Sequence, residues 1–316
     1  MSAQDWTRRK ICTASVIFAA SAKSSYGANG NSVYNNWTQN ELDNQINQTS
    51  YLPTNTQEII DNYAKNSNLV RSHIPPKTFA YGDSPNETLD VFAPNGAKDL
   101  PAMVFIHGGA WKEWSKDDFS FAAPIFVSAN AVYIVIGFDN IPPNTIGGII
   151  EQCRNALGWI NNHADQLGID RKRIFVSGHS SGGHLANMML ATQWKKRDLP
   201  DDLIKGGVVL SGWTDLYPIS LSNRKSYIKV TDAQIKNYSP IDQIKNIRCP
   251  VVVAWGSLES PYMQTQSALW ASKLQARSQL AGAYKIMGCN HLEMANQFGN
   301  ANSQISKAAL ALMALV

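Results

Sequence analysis

The stretch RIFVSGHSSGGHLANMML, residues 173–190, decides the fold, because it joins an apolar strand to an apolar helix through a turn of small residues. The turn contains a G-x-S-x-G pattern centred on Ser180. A sharp strand-to-helix turn lifts its central side chain clear of the sheet, and flanking glycines let the strand and the helix pass closely. The alternative is an ordinary glycine–serine turn. The strand and helix on either side favour Ser180 as a nucleophile, with the backbone N–H of Ser181 available to an oxyanion.

Outside this turn, continuous apolar runs alternate with helical segments. The runs that predict strands are TFAYG (78–82), TLDVFAP (88–94), AMVFIH (102–107), AVYIVIGF (131–138), RIFVS (173–177), GGVVLSG (206–212), PVVVAWG (250–256) and AYKIMG (283–288). Helices are predicted over 42–46, 59–69, 149–165, 183–194, 264–277 and 301–314, with Thr54 or Thr56 capping the second. Continuous apolar strands that alternate with helices are typical of a mostly parallel sheet covered by helices on both faces. We therefore predict an α/β fold.

A second glycine motif, FIHGGAW at 105–111, follows the end of a predicted strand. Glycine lets the backbone approach a substrate without a Cβ in the way, so Gly108 and Gly109 are expected to donate N–H groups to an oxyanion. His107 precedes these donors at the end of the strand. We interpret it as a residue that braces the loop rather than as a base.

A nucleophilic serine needs a base, and after such an elbow the chain order is serine, acid, histidine. His291 lies in MGCNHLEM, directly after the last predicted strand, and is the predicted base. His184 is one turn into the elbow helix and is assigned to packing or polar support. The predicted acid is Glu259 in GSLESP (256–261), the loop after another strand. Its rivals, Asp215 and Glu293, are expected to accept hydrogen bonds within their own loops.

Aromatic residues follow both loops and could form a pocket for an aryl group. The candidate substrate-binding residues are Trp111, Trp114, Trp213 and Tyr217, with Phe119 and Phe121 nearby in sequence. The alternative for each is that it caps the core, because aromatic rims are common in pockets and in cores alike.

The composition excludes several classes of protein. Of the 316 residues 44% are hydrophobic and 16% charged, which supports a sizeable core rather than disorder. The formal net charge of +4 comes from basic residues spread along the chain, so no nucleic-acid partner is expected. The four cysteines lack metal-type spacing, and no phosphate or dinucleotide motif occurs. The sequence implies no cofactor, no metal and no membrane span, and it leaves a homodimer open.

The N-terminus, TRRKICTASVIFAASAKSSYGA, combines a basic start, a short apolar stretch and then small residues. This pattern is typical of an export signal, and the alternative is an apolar N-terminal helix on a cytoplasmic protein. We therefore divide the chain into a leader over 1–30 and a single domain over 31–316. Residues 31–75 of that domain form an N-terminal extension that is predicted to cover the site.

Several stretches together resemble the arylformamidase (kynurenine formamidase) group of α/β-hydrolases, which adjoins the hormone-sensitive-lipase-like carboxylesterases. They are HGGAW, GHSSGGHLANMMLATQW, VVLSGWTDLYPI, GSLESPYMQTQSALWASKL and NHLEM, and the resemblance runs from about residue 37 to the C-terminus. It implies an α/β-hydrolase fold with Ser180 as nucleophile, His291 as base and Glu259 in the acid position. The chain departs from the family's pattern at Glu259, Ser181 and Ala110, where aspartate, alanine and an aromatic residue are usual.

The resemblance and the motifs leave three functions open. The first is a serine hydrolase that cleaves carboxylic esters of small or aryl substrates through an acyl-enzyme. The second is an arylformamidase that hydrolyses N-formyl anilides such as N-formylkynurenine. The third is a non-catalytic binding module with a hydrolase-like fold, and an intact set of three catalytic side chains argues against it. An ester or amide of small size is the expected partner.

Overall fold

The computed structural model describes residues 32–316 and contains one eight-stranded sheet. The strands are β1 (Lys77–Ala80), β2 (Thr88–Phe92), β3 (Leu100–Ile106), β4 (Val132–Ile136), β5 (Ile169–His179), β6 (Ile204–Leu210), β7 (Val251–Gly256) and β8 (Leu280–Ile286). Their order is β1-β2-β4-β3-β5-β6-β7-β8. Strand β2 runs antiparallel to both of its neighbours, and every other pair is parallel. The predicted α/β class and all eight strands are confirmed.

The helices are α1 (Gln39–Asn47), α2 (Thr56–His73), α3 (Ala123–Ser128), α4 (Ile146–Asn162), α5 (Ala164–Leu167), α6 (Ser181–Leu190), α7 (Tyr217–Leu221), α8 (Asp232–Tyr238), α9 (Pro240–Gln243), α10 (Pro261–Gln275), α11 (Glu293–Phe298) and α12 (Gln304–Leu312). The cap prediction for α2 is wrong, because its N-cap is Asn55 and Thr56 is already helical. Helix α1 begins three residues before its predicted start, since Thr38 and Glu41 form a capping box there.

Two apolar layers cover the two faces of the sheet, as the continuous apolar strands predict. Helices α4, α6 and α10 bury side chains such as Ile150, Leu185 and Trp270 on one face. Helices α2, α3, α11 and α12 bury side chains such as Phe126 and Phe298 on the other. The C-terminal ends of the parallel strands therefore emerge at one edge between these layers, where loops can carry polar side chains.

The N-terminal extension packs against this body through polar contacts as well as apolar ones. The Tyr63 hydroxyl on α2 donates a hydrogen bond to the backbone oxygen of Leu292. Arg71 on α2 pairs with the buried carboxylate of Asp90 on β2. The candidate export leader lies outside the described residues. No helix within residues 32–316 is long and apolar enough to cross a bilayer.

Candidate active site

The turn at Ser180 has the strained conformation that the G-x-S-x-G pattern predicts. Ser180 has φ 58° and ψ −120°, a left-handed backbone that non-glycine residues rarely adopt. A Cβ at Gly182 would lie 2.1 Å from the Ile106 oxygen, and one at Gly178 would lie 2.2 Å from the Gly182 oxygen. Only glycine fits at either position, because β3, β5 and α6 meet there without room for a side chain. The glycines therefore fix the path of the turn and place the Ser180 hydroxyl at the edge of the sheet.

His291 reaches Ser180 from the loop after β8. Its Nε2 lies 2.8 Å from the Ser180 Oγ, and the two residues are 9% and 7% exposed. The Asn290 side chain shapes the loop by accepting hydrogen bonds from the backbone N–H groups of Leu292 and Glu293. The imidazole is thus held within hydrogen-bond reach of the hydroxyl, as a general base must be.

Glu259 completes the chain of polar contacts behind His291. One carboxylate oxygen, Oε1, lies 2.5 Å from the His291 Nδ1, and the other accepts a hydrogen bond of 2.8 Å from the Gly256 N–H. The two rival carboxylates point elsewhere. Asp215 accepts from the Tyr217 N–H, and Glu293 accepts from the Asn290 N–H. Both therefore accept hydrogen bonds within their own loops, and Glu259 is the carboxylate beside the imidazole.

The glycine loop at Gly108 and Gly109 also reaches Ser180. A Cβ at Gly108 would lie 3.4 Å from the Ser180 Cβ, so the backbone there approaches the serine directly. Gly109 has φ 105°, a conformation that disfavours any other residue. Ser181 is the first residue of α6, where a helix leaves its N–H without an intrahelical partner. Gly108 and Ser181 thus adjoin Ser180, and Gly109 is the next residue of the glycine loop.

Three further histidines around the site stay neutral because they are buried. Burial lowers the pKa of His107 and of His184 to about 4. Burial and the nearby His291 lower the pKa of His179 to about 3. His107 stacks on Phe138, and His184 accepts a hydrogen bond from the Trp111 indole. These positions match the bracing and support roles that the sequence indicates for His107 and His184.

The four candidate substrate-binding aromatics have different surroundings. Trp111 and Trp213 are 0% and 1% exposed, so both belong to the core rather than to an open pocket wall. The Trp111 ring contacts His184, and the Trp213 ring lies beside the Arg224 guanidinium. Trp114 is half-buried against Tyr63 and Phe119, and Tyr217 is 48% exposed. For Trp111 and Trp213 the interpretation as core residues fits the described structure, because no substrate can reach a fully covered ring.

Gln48, which the sequence analysis does not single out, also reaches the site. It follows α1 in the N-terminal extension and is 2% exposed. Its side chain contacts His291 and the backbone of Ser260, next to Glu259. The extension therefore contributes a buried polar group to the site. No sequence pattern could have identified it, because glutamine has no distinctive motif and lies 243 positions from His291.

Solved structures place the fold in a known class. A putative thioesterase from Silicibacter sp. tm1040 aligns with a TM-score of 0.73 and 22% identity over 87% of this chain and 99% of its own. An esterase from Pyrobaculum calidifontis aligns with a TM-score of 0.66 and 18% identity over 87% and 97%. Together with the strand order and the turn at Ser180, these alignments identify an α/β-hydrolase fold.

Sequence comparison gives the family within that class. The BD-FAE family profile matches residues 89–274, more than half of the chain, and the chain therefore belongs to the BD-FAE family. A curated relative, the kynurenine formamidase of Danio rerio, is 27% identical over 74% of this chain and 80% of its own length. The protein is an enzyme, a hydrolase of the group that contains esterases and formamidases.

Proposed function

We propose that the protein is a serine hydrolase that cleaves carboxylic esters of small or aryl substrates through an acyl-enzyme. One observation carries the proposal. The Ser180 hydroxyl, the His291 imidazole and the Glu259 carboxylate form a continuous chain, with contacts of 2.8 and 2.5 Å. Nucleophile, base and orienting acid in this order are the arrangement that serine hydrolases use for acyl transfer.

In the proposed reaction the Ser180 Oγ attacks the ester carbonyl while the His291 Nε2 takes its proton. Glu259 accepts the hydrogen bond from Nδ1–H, which keeps the other nitrogen free to act as base. Collapse of the tetrahedral intermediate breaks the bond to the leaving alcohol, which receives the proton from His291. Water then attacks the acyl-enzyme by the same route and releases the acid.

The negative charge of the tetrahedral intermediate is stabilised by the backbone N–H groups of Gly108, Gly109 and Ser181. Their donors are fixed before the substrate arrives, so little reorganisation is needed when the charge develops. Loss of one such donor typically costs on the order of a hundredfold in rate. The close approach of Gly108 to Ser180 supports this assignment.

The second candidate is hydrolysis of N-formyl anilides. The 27% identity to the kynurenine formamidase of Danio rerio supports this candidate. The same three side chains can perform that reaction, because formamides and esters pass through the same kind of tetrahedral intermediate. The substrates differ in the leaving group, an aryl amine or an alcohol. The pocket that receives the leaving group therefore decides between them.

The two candidates are separated by kcat/KM measured on p-nitrophenyl acetate and on N-formyl-L-kynurenine, with wild type and Ser180→Ala. We expect turnover of the ester and no turnover of either substrate by Ser180→Ala. A preference for formylkynurenine by orders of magnitude would replace the esterase proposal with the formamidase. Activity that survives in Ser180→Ala would remove Ser180 as the nucleophile in both.

A further inference from the structure

Gln48 holds an unfavourable backbone conformation at the point where the N-terminal extension meets the active site. It is the C-cap of α1, with φ 61° and ψ 18°. Glycine is the usual residue in this left-handed position, because a Cβ is disfavoured there. A non-glycine residue in such a conformation points to a role for its side chain. The Gln48 side chain is turned into the protein, not toward solvent.

One hydrogen bond fixes the orientation of the Gln48 amide. Its Oε1 accepts a hydrogen bond of 2.9 Å from the Ser260 N–H, which only an acceptor can do. The Nε2 end must then face the other way, and it lies 3.4 Å from the His291 Nδ1. The Gln48 side chain thus holds the backbone of Ser260, next to Glu259, and also lies beside the His291 imidazole.

A donor at that place has a specific consequence for the base. Nδ1–H needs one acceptor, and Glu259 offers it at 2.5 Å. The Gln48 NH2 group, which lies beside the ring, cannot accept a hydrogen bond from Nδ1–H. It therefore offers no alternative acceptor to Glu259. Because Gln48 is buried there, it also occupies space in which a water molecule could compete for Nδ1–H. The imidazole therefore has a single favourable orientation.

The segment that carries Gln48 is fastened to the catalytic body on both sides. Arg224 donates from Nε to the Asn47 side chain and from Nη2 to the Ile46 oxygen. Gln45 accepts a hydrogen bond of 3.0 Å from the Tyr262 N–H through its Oε1. These anchors hold the left-handed residue in place and bring α1 to the loop that carries Glu259. Only Gln48 in this segment contacts His291 within the described hydrogen bonds.

We propose that Gln48 is a positioning residue for the His291–Glu259 pair, supplied by the N-terminal extension. The inference rests on the proposed function, since it assigns a role to Gln48 only if His291 acts as the base for Ser180. Gln48 does not contact the reacting atoms and acts through the orientation of the imidazole and of the acid loop. It should therefore affect the chemical step more than substrate binding.

The test compares Gln48→Met with Gln45→Met in the full chain. Methionine has a similar volume and no amide, so Gln48→Met removes both contacts without opening a large cavity. Gln45→Met removes one anchor of the same segment, and the two Arg224 hydrogen bonds then keep the amide beside His291 in place. The readouts are kcat and KM for p-nitrophenyl acetate, the second-order rate of labelling by a fluorophosphonate, and the downfield proton resonance of His291 Nδ1–H.

We expect Gln48→Met to lower kcat and the labelling rate by on the order of tenfold, because the imidazole and the Glu259 loop are then less precisely held in the reactive geometry. KM should change by less than about twofold, and the Nδ1–H resonance should shift. Gln45→Met should remain close to wild type in all three. Gln48→Gly, which suits the left-handed backbone, repeats the test if the methionine variant does not fold.

Equal labelling rates for Gln48→Met and wild type would overturn the proposal, as would an unchanged Nδ1–H resonance. An equal loss in Gln45→Met would assign the effect to docking of the extension and would also overturn it. Failure of the esterase proposal has a different signature. In that case the wild type is not labelled, or Ser180→Ala is labelled as fast as the wild type.

Discussion

Two buried carboxylates in this molecule, Asp90 and Glu259, have opposite surroundings. Asp90 on β2 is 0% exposed and is paired with both Arg71 and Lys116. These cations and hydrogen bonds hold its pKa below the usual range despite burial. Glu259 is 1% exposed and, among the described residues, has no lysine or arginine within ion-pair distance. Its partners are the His291 imidazole and the Gly256 N–H.

The difference supports a structural role for Asp90 and the functional role proposed for Glu259. The charges around Asp90 compensate for desolvation and fasten the extension to the antiparallel strand β2. Around Glu259 fewer groups compensate for the cost of burying the carboxylate, and a positive charge on His291 would compensate for more of it. In the proposed reaction, a carboxylate in that situation stabilises the imidazolium that forms when Ser180 loses its proton to His291. The surroundings of the two residues, rather than their burial, indicate their roles.

The largest expected effect comes from Glu259→Gln. An amide has one acceptor where the carboxylate has two, so either the Gly256 N–H or the His291 Nδ1–H loses its acceptor. We expect kcat to fall on the order of 10⁴-fold, because the imidazole is then no longer held in the tautomer that accepts the Ser180 proton. The steady-state rate on p-nitrophenyl acetate, with the thermal unfolding midpoint as a check on folding, measures this.

The matched control for Glu259 is Asp215→Asn. The Asn side-chain oxygen can still accept the hydrogen bond from the Tyr217 N–H, so the variant should remain within about twofold of wild-type kcat. If Asp215→Asn lost as much activity as Glu259→Gln, the comparison between functional and structural carboxylates would fail.

A smaller effect, on stability rather than rate, is expected for Asp90→Asn. Removal of one partner from a buried ion pair leaves uncompensated charge, which costs about 3 kcal/mol of unfolding free energy. Arg71 and Lys116 keep partial contact with solvent, at 24% and 13% exposure, which limits the cost. Urea denaturation measures the change, and kcat/KM of the folded variant should stay near that of wild type. A loss of activity at full stability would contradict the structural role.

The smallest effect concerns acid stability and the neutral histidine His184. Its pKa is lowered to about 4 in the folded protein against 6.5 for the ordinary side chain, so the unfolded chain binds a proton first as the pH falls. Proton binding to His184 in the unfolded chain therefore lowers the free energy of unfolding progressively as the pH falls below 6.5. His184→Gln should reduce the pH slope of the unfolding free energy by about 1 kcal/mol per pH unit between pH 6 and 4.5.

Asp90 should affect the free energy of unfolding in a lower pH range than His184 does. Its lowered pKa contributes stability that is present above its ordinary value of 3.8 and is lost only as the pH falls through the lower folded value. Asp90→Asn should therefore leave the slope between pH 6 and 4.5 unchanged. Urea unfolding at several pH values checks both variants, and an unaltered slope in His184→Gln would contradict its burial as a neutral group.

The strands could be predicted, and the side chains proposed for catalysis could be selected from the sequence, because their signals are local. Runs such as VVVAW are long enough to mark a strand covered on both faces, and the turn at Ser180 constrains five consecutive residues. The role of Gln48 could not be predicted, since it depends on where α1 docks. The aromatic residues are ambiguous for a similar reason. Trp111 and Tyr217 follow strands in the same way, yet one is buried and the other is exposed.

The most direct test of the central claim is the location of a covalent adduct after reaction with a fluorophosphonate. Ser180 and Ser181 are adjacent, but only the Ser180 Oγ is in contact with the His291 Nε2. Peptide mapping by tandem mass spectrometry can distinguish the two hydroxyls. We expect one adduct per chain, on Ser180, and its loss in Ser180→Ala. An adduct on Ser181, or no adduct on a folded wild-type enzyme, would contradict the claim.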